Sequence, residues 1–104
     1  MKFDRTKVLN EPEVLPELKP LQADFLKDRY ADLEKIRFHM ENKEFQEVEK
    51  ITHNWKGFSA PYGFPFLADM AQAIEADLKE GKDIDSAGFV QGIEEYLRFK
   101  EQKI

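Results

Sequence analysis

Apolar residues recur at steps of three and four along most of the chain, and this spacing limits the fold more than any other feature of the sequence. In the first half the recurring positions are Leu18, Leu21, Phe25, Leu33, Ile36 and Met40. Such steps return to one face of an α-helix, whereas a half-buried strand needs alternation with period two. No stretch alternates for long enough to form a strand. The pattern therefore predicts an all-α protein.

Residue types that end or cap helices divide this pattern into four segments. The expected breaks lie at residues 41–43, at 61–63 and at 81–85. Pro61 disfavours helical geometry in the residue before it, so the second helix should end near Ala60. Four helices with short connections pack most simply as an antiparallel up-and-down four-helix bundle.

Residues 1–16 differ from the rest because they carry Pro12 and Pro16 and show little periodicity. We expect them to form an extended or briefly helical lead-in, followed by the bundle over residues 17–104. Their apolar residues are expected to cap the core: Val8, Leu9, Val14 and Leu15.

Composition narrows the classes of function. A chain of 104 residues forms one small domain, too short for separate nucleotide-binding and substrate domains. Sixteen lysines and arginines stand against 21 aspartates and glutamates, which give a formal net charge of -5. A nucleic-acid interface needs a concentrated positive face, so this balance favours protein or cationic partners instead.

The same composition bears on compartment and assembly. The chain has no cysteine, which removes disulfides and thiolate metal sites and is compatible with a reducing compartment. No apolar run approaches the roughly 18 residues of a membrane span, and residues 1–5 lack the apolar core of a signal peptide. We therefore expect a cytoplasmic monomer that does not enter the membrane. Met1 and the closing residues 100–104 favour a short complete chain.

His53 is the first candidate for chemistry, because the helical wheel turns it to water. At about 100° per residue it lies roughly 160° from the centre of the apolar face of its helix. Its side of the helix carries polar or very small residues: Gln46, Glu49, Lys50, Lys56, Gly57 and Ala60. A glycine on an exposed helix face costs about 1 kcal/mol relative to alanine, so Gly57 suggests close approach of another molecule.

An exposed imidazole is a usable nucleophile near neutral pH, because one ring nitrogen is then unprotonated. A carboxylate that accepts a hydrogen bond from the other nitrogen would hold the reactive tautomer. Glu75 lies beside the apolar stripe of the third predicted helix, where an antiparallel neighbour would bring it alongside His53. Gln72, one turn earlier, is the alternative partner.

These residues resemble the histidine-containing phosphotransfer (HPt) domains of two-component phosphorelays. The signature of that family is approximately His-x-x-Lys-Gly-x-Ser, followed at set distances by a glycine, an aliphatic residue and Glu or Gln. The matching residues here are His53, Lys56, Gly57, Ser59, Gly63, Leu67 and Glu75. Two positions depart from the family, since Thr52 stands where alanine is common and Trp55 where leucine is usual. The resemblance covers about residues 14–100.

The resemblance implies a role for each matching residue. His53 would accept a phosphoryl group at the ring nitrogen remote from its backbone, Lys56 would stabilise the phosphoryl oxygens, and Glu75 would hold the proximal nitrogen. Ser59 falls with the core-side residues and is expected to pack rather than react. The partner-binding surface would comprise Gln46, Glu49, Lys50, Gly57, Ala60 and Gln72.

The implied partners are response-regulator receiver domains or a hybrid sensor kinase. The chain has no glycine-rich phosphate loop and no cluster suited to hold a nucleotide, so Mg²⁺ and most of the catalysis would come from the receiver. No cofactor or metal of its own is expected.

Other interpretations compete with phosphotransfer. A helical interaction module would use the face around His53 only to bind a partner, without phosphorylation. A metal site on His39 and His53 is disfavoured, because the two lie on different predicted helices without a supporting ligand cluster. The aromatic residues between the second and third helices are expected to pack in the core and turn, although an exposed Tyr62 or Phe64 would be available for docking.

Overall fold

The computed structural model describes Val8, Glu11, Pro12 and residues 14–104 of the chain. Four α-helices make up most of this described part, and a 3₁₀ turn at Lys19–Leu21 leads into the first of them. The helices are α1, Gln22–Glu41; α2, Phe45–Phe58; α3, Pro65–Lys79; and α4, Ser86–Glu101. The predicted all-α, antiparallel up-and-down bundle is confirmed.

The helices pack in a ring around one core. The main contacts join α1 to α2, α2 to α3, α3 to α4, and α4 back to α1. The largest fully buried apolar side chains come from all four helices and the α2–α3 connection: Leu33, Ile36, Val48, Trp55, Phe64, Leu67, Met70, Ile93, Tyr96 and Leu97. Burial of a large apolar side chain stabilises a fold by about 1.5–3 kcal/mol, so this shared core holds the helices together.

The helix ends lie close to the predicted breaks. Lys43 has a φ of 56° in the connection after α1, and the Asn42 side chain donates a hydrogen bond of 2.8 Å to the Phe38 carbonyl. Asp85 caps α4 by accepting a hydrogen bond of 3.0 Å from the Gly88 backbone N–H. The second helix ends at Phe58, two residues before the predicted Ala60.

The α2–α3 connection is packed rather than exposed. The Phe25 ring stacks on Tyr62 with centroids 4.7 Å apart and lies 4.9 Å from the Phe64 ring. Phe64 is fully buried, so it is not available for docking, and the prediction of core and turn packing is confirmed. Gly63 has a φ of 90°, and an added Cβ would lie only 2.9 Å from Gln22 Nε2, so the turn requires glycine.

The lead-in is held to the bundle by a residue that the sequence did not single out. The Glu11 carboxylate accepts hydrogen bonds from the Tyr96 hydroxyl at 2.9 Å and from Lys100 Nζ at 3.0 Å. The backbone N–H of Phe66, in the first turn of α3, donates to the same carboxylate at 3.3 Å. Glu11 therefore ties the lead-in to both α3 and α4.

The apolar residues of the lead-in behave differently from one another. Val8 is buried and Val14 is half-buried, as expected, but the Leu15 side chain is 63% exposed and does not cap the core. Leu9 lies outside the described residues. Within the described part, none of the helices combines the length and the apolar character that a bilayer crossing requires.

Candidate functional site

His53 projects from the solvent face of α2, and its side chain is 70% exposed. The opposite face of the helix carries the buried residues Val48, Thr52 and Trp55. Thr52 turns its hydroxyl back on the helix and donates a hydrogen bond of 3.1 Å to the Val48 carbonyl. Ser59 is fully buried, as the wheel predicted. The phase of the helix thus leaves the imidazole accessible.

The neighbouring helix α3 brings Glu75 next to this imidazole. Glu75 Oε2 lies 4.0 Å from His53 Nδ1 and 2.9 Å from Lys56 Nζ. The first distance exceeds that of a hydrogen bond, whereas the second is a short, charge-assisted one. Glu75 was expected to hold the proximal ring nitrogen and Lys56 to stabilise phosphoryl oxygens, but here the two side chains pair with each other.

Lys79 completes the cluster from the other side. Its Nζ lies 3.0 Å from Glu75 Oε1, so each carboxylate oxygen has its own ammonium partner. Hydrogen bonds from Lys56 and then Lys79 lower the pKa of the Glu75 carboxyl from 4.5 to about 2. Glu75 is therefore a carboxylate at neutral pH, and only 16% of its side chain is exposed.

The sequence contained a local signal for Lys79 that was missed. Glu75 and Lys79 stand four residues apart on one helix, which is the spacing at which a glutamate and a following lysine meet. The Lys56–Glu75 pair had no such signal, because its members lie on different helices.

The other predicted surface residues lie on the same two helices, except Ala60, which lies in the connection between them. Most are exposed and Glu49 is half-buried. Lys50 pairs with Glu47 at 3.1 Å, so its ammonium is engaged within α2. Gln72, the alternative imidazole partner, is exposed on α3 one turn before Glu75, and the contact with Nδ1 is made by Glu75.

Gly57 lies open to solvent beside the histidine. A Cβ added there would meet nothing within 4 Å apart from its own helix and chain neighbours, so packing within the bundle does not require a glycine. Gly57 also lines a groove of about 510 Å³ between α1 and α2. The floor and walls of the groove are completed by Arg29, Asp32, Lys35, Ile51, Asn54 and Phe58.

Trp55 is anchored beneath the exposed face by a partner on α1. Its indole Nε1–H donates a hydrogen bond of 3.0 Å to Asp32 Oδ2, which also lies 2.9 Å from Arg29 Nε. The Arg29 guanidinium packs 4.5 Å from the Phe25 ring centroid and 4.6 Å from that of Phe58. A buried tryptophan needs such a polar partner, and Asp32 explains how the bundle accommodates an indole at this position.

His39 and His53 lie on different helices, and His39 has a partner of its own. His39 lies in the last turn of α1, where its Nδ1 is 3.0 Å from Glu44 Oε1. Across Val8, Glu11, Pro12 and residues 14–104, no group of three or more His, Cys, Asp or Glu residues is arranged to hold a metal ion.

Comparison of the chain with protein-family models, with curated proteins and with solved structures finds no match. A four-helix bundle hosts many unrelated activities, so function has to be argued from the residues around His53.

Proposed function

We propose that the protein is a phosphorelay carrier of the HPt type. It accepts a phosphoryl group on His53 from an aspartyl phosphate of a receiver domain and passes the group to another receiver, which places its work in the cytoplasm. The observation that carries this proposal is an exposed imidazole with a carboxylate 4.0 Å behind Nδ1 and an ammonium on that same carboxylate.

The chemistry needs one tautomer of the histidine. With the proton on Nδ1, the Nε2 lone pair attacks phosphorus and forms the N–P bond. The bond from phosphorus to the aspartyl oxygen breaks, and its electron pair stays with the departing carboxylate. The ring keeps its Nδ1 proton and becomes cationic, so the Glu75 carboxylate stabilises the product as well as the reactive tautomer.

The charges around His53 suit an anionic phosphoryl group. Lys56 and Lys79 contribute two positive charges against the single negative charge of Glu75, so the cluster is locally cationic on a protein whose formal net charge is -5. Oriented positive charge stabilises the transferring phosphoryl group, and the receiver would supply Mg²⁺ and the in-line geometry.

The surface next to His53 leaves room for a receiver. Gly57 presents no side chain, and Ala60 only a methyl group, beyond the imidazole. A receiver is therefore able to bring its active site close to Nε2, while the exposed polar residues Gln46, Lys50 and Gln72 border the contact.

Phosphotransfer from receivers tests this proposal directly. Phosphorylated receivers from the same genome, incubated with the protein and Mg²⁺, should give an acid-labile, alkali-stable phosphoryl label on the wild type. The label should be absent from His53→Gln and retained by His39→Gln, which removes the other of the two histidines.

Label that persists in His53→Gln would contradict the assignment. Stable binding of receivers without any transfer, across a broad panel, would instead favour the interaction module that uses the same face.

A further inference from the structure

We infer that Lys79 is a positioning residue for His53, acting through Glu75: it holds one carboxylate oxygen so that the other stays directed at Nδ1 while Lys56 moves to the phosphoryl group. This inference rests on the proposed phosphotransfer. It assigns to Lys79 a role that the HPt signature residues of the chain do not cover.

The two lysines hold Glu75 in different ways. Lys56 reaches across from α2 to Oε2, the oxygen that lies 4.0 Å from His53 Nδ1. Lys79 belongs to α3 itself and holds Oε1 from one turn away. The Lys79 contact is therefore internal to one helix, whereas the Lys56 contact joins the helix of Glu75 to the helix of His53.

The Lys56 ammonium cannot bind Glu75 and the phosphoryl group at the same time. An ammonium 2.9 Å from Oε2 is committed to Glu75, yet the proposed reaction needs it on the phosphoryl oxygens at Nε2. When it leaves, Oε2 becomes free to accept the hydrogen bond from Nδ1–H, which the imidazolium product requires. The ring gains a carboxylate partner in the same movement that gives the phosphoryl group its cation.

Lys79 prevents the carboxylate from following Lys56. With Oε1 held at 3.0 Å, the free oxygen keeps its place beside Nδ1 and Glu75 keeps a cationic partner. If Lys79 served only to stabilise the fold, its loss would change little, because its side chain is 70% exposed and an exposed ion pair adds little to folding. A change in the fraction of His53 rings protonated at Nδ1, after loss of Lys79, would therefore indicate positioning and not a contribution to stability.

The unphosphorylated protein allows a test that does not depend on transfer. Lys56→Met imitates the departure of the Lys56 ammonium, and the ¹⁵N shifts of the His53 ring report the fraction protonated at Nδ1. We expect Lys56→Met to raise that fraction, Lys56→Met/Lys79→Met to reverse the gain, and Lys56→Met/Lys82→Met to keep it. Lys82 is the matched control, because it is 62% exposed and pairs with Glu80 at 2.8 Å outside the cluster.

Transfer kinetics give the second measurement. At saturating receiver, Lys79→Met should lower the rate constant for transfer by about tenfold, the order of effect seen when an outer partner of a metal-bound histidine is lost. The dependence on receiver concentration should stay unchanged, Lys79→Arg should restore most of the rate, and Lys82→Met should match the wild type.

The outcomes distinguish a failure of the role inferred for Lys79 from a failure of the proposed phosphotransfer. Equal Nδ1 fractions in Lys56→Met and Lys56→Met/Lys79→Met, or wild-type transfer by Lys79→Met, would overturn the role of Lys79 while leaving phosphotransfer intact. Failure of the wild type to accept phosphoryl groups would overturn the proposed function, whereas the Nδ1 fractions would still decide whether Lys79 positions the carboxylate.

Discussion

At the scale of single residues, Gly57 is the clearest example of a residue type that the packing of the bundle does not require. It stands inside α2, is exposed, and has open space where a side chain would begin. Glycine in a helix interior is less favourable than alanine by about 1 kcal/mol, and no contact within the bundle offsets that cost. The proposed docking of a receiver at His53 would supply a reason for the glycine.

Gly57→Ala should therefore increase the stability of the protein and lower the rate of the proposed phosphotransfer. We expect a gain of about 1 kcal/mol in the free energy of unfolding, measured by urea denaturation, because alanine is the better helix former. If His53 accepts phosphoryl groups as proposed, transfer measured with a phosphorylated receiver should slow, because the added methyl group would lie where the receiver is proposed to dock.

Gly88→Ala is the matched comparison in α4. Its added Cβ would overlap the Asp85 carboxylate that caps the helix, so the lost cap, about 1 kcal/mol, should cancel the gain in helix propensity and leave stability nearly unchanged. A destabilised Gly57→Ala would show that the bundle itself needs the glycine.

At the scale of elements, the lead-in contributes a buried polar contact to the bundle. The Glu11 and Lys100 side chains are only 9% and 12% exposed, and they meet at 3.0 Å. Burial, reinforced by the negative charge of Glu11, raises the pKa of Tyr96 well above its ordinary value, so its hydroxyl stays protonated and donates to the carboxylate. One residue of the lead-in thus connects two helices.

Glu11→Ala should destabilise the whole bundle although it lies outside all four helices. Removal of the carboxylate takes away the charged partner of the nearly buried Lys100 ammonium, and we expect a loss of about 3 kcal/mol in the free energy of unfolding. Glu17→Ala, which truncates an exposed glutamate of the same region, is the control and should change stability little. Equal stability of the two variants would contradict the anchoring role.

Helix phase was easier to predict than helix ends. The starts of α3 and α4 follow the predicted breaks, and Pro65 and Asp85 mark them because both residues act on the backbone next to them. The end of α2 was two residues off, since the turn that follows is set by packing. There the Phe64 N–H donates to the Ser59 carbonyl at 2.9 Å while its ring enters the core.

At the scale of the whole molecule, stability should depend on the charge of Glu75. The pKa of its carboxyl is about 2 in the folded protein and 4.5 in its ordinary state, so the unfolded chain binds more protons between these values. A depressed carboxyl pKa contributes stability that is present above pH 4.5 and is lost as the pH falls towards about 2. Arg98 and Arg37 lower the pKa of Glu94 in the same direction.

Unfolding measured across this pH range should isolate the contribution of Glu75. The difference in unfolding free energy between wild type and Glu75→Gln should shrink as the pH falls from 4.5 towards about 2, because a protonated glutamate and a glutamine are both neutral. A difference that stays constant down to pH 2 would mean that the carboxylate is not held by its two lysines.

The sequence by itself determined four amphipathic helices, their approximate breaks and the exposed face that carries His53, because helical periodicity depends only on neighbours three and four residues apart. The tertiary structure alone decided that Lys56 pairs with Glu75 and that Glu11 reaches Tyr96 and Lys100. Contacts of this kind depend on how far each helix is rotated and shifted against the next. That register is set by packing of the shared core, and no local pattern in the chain encodes it.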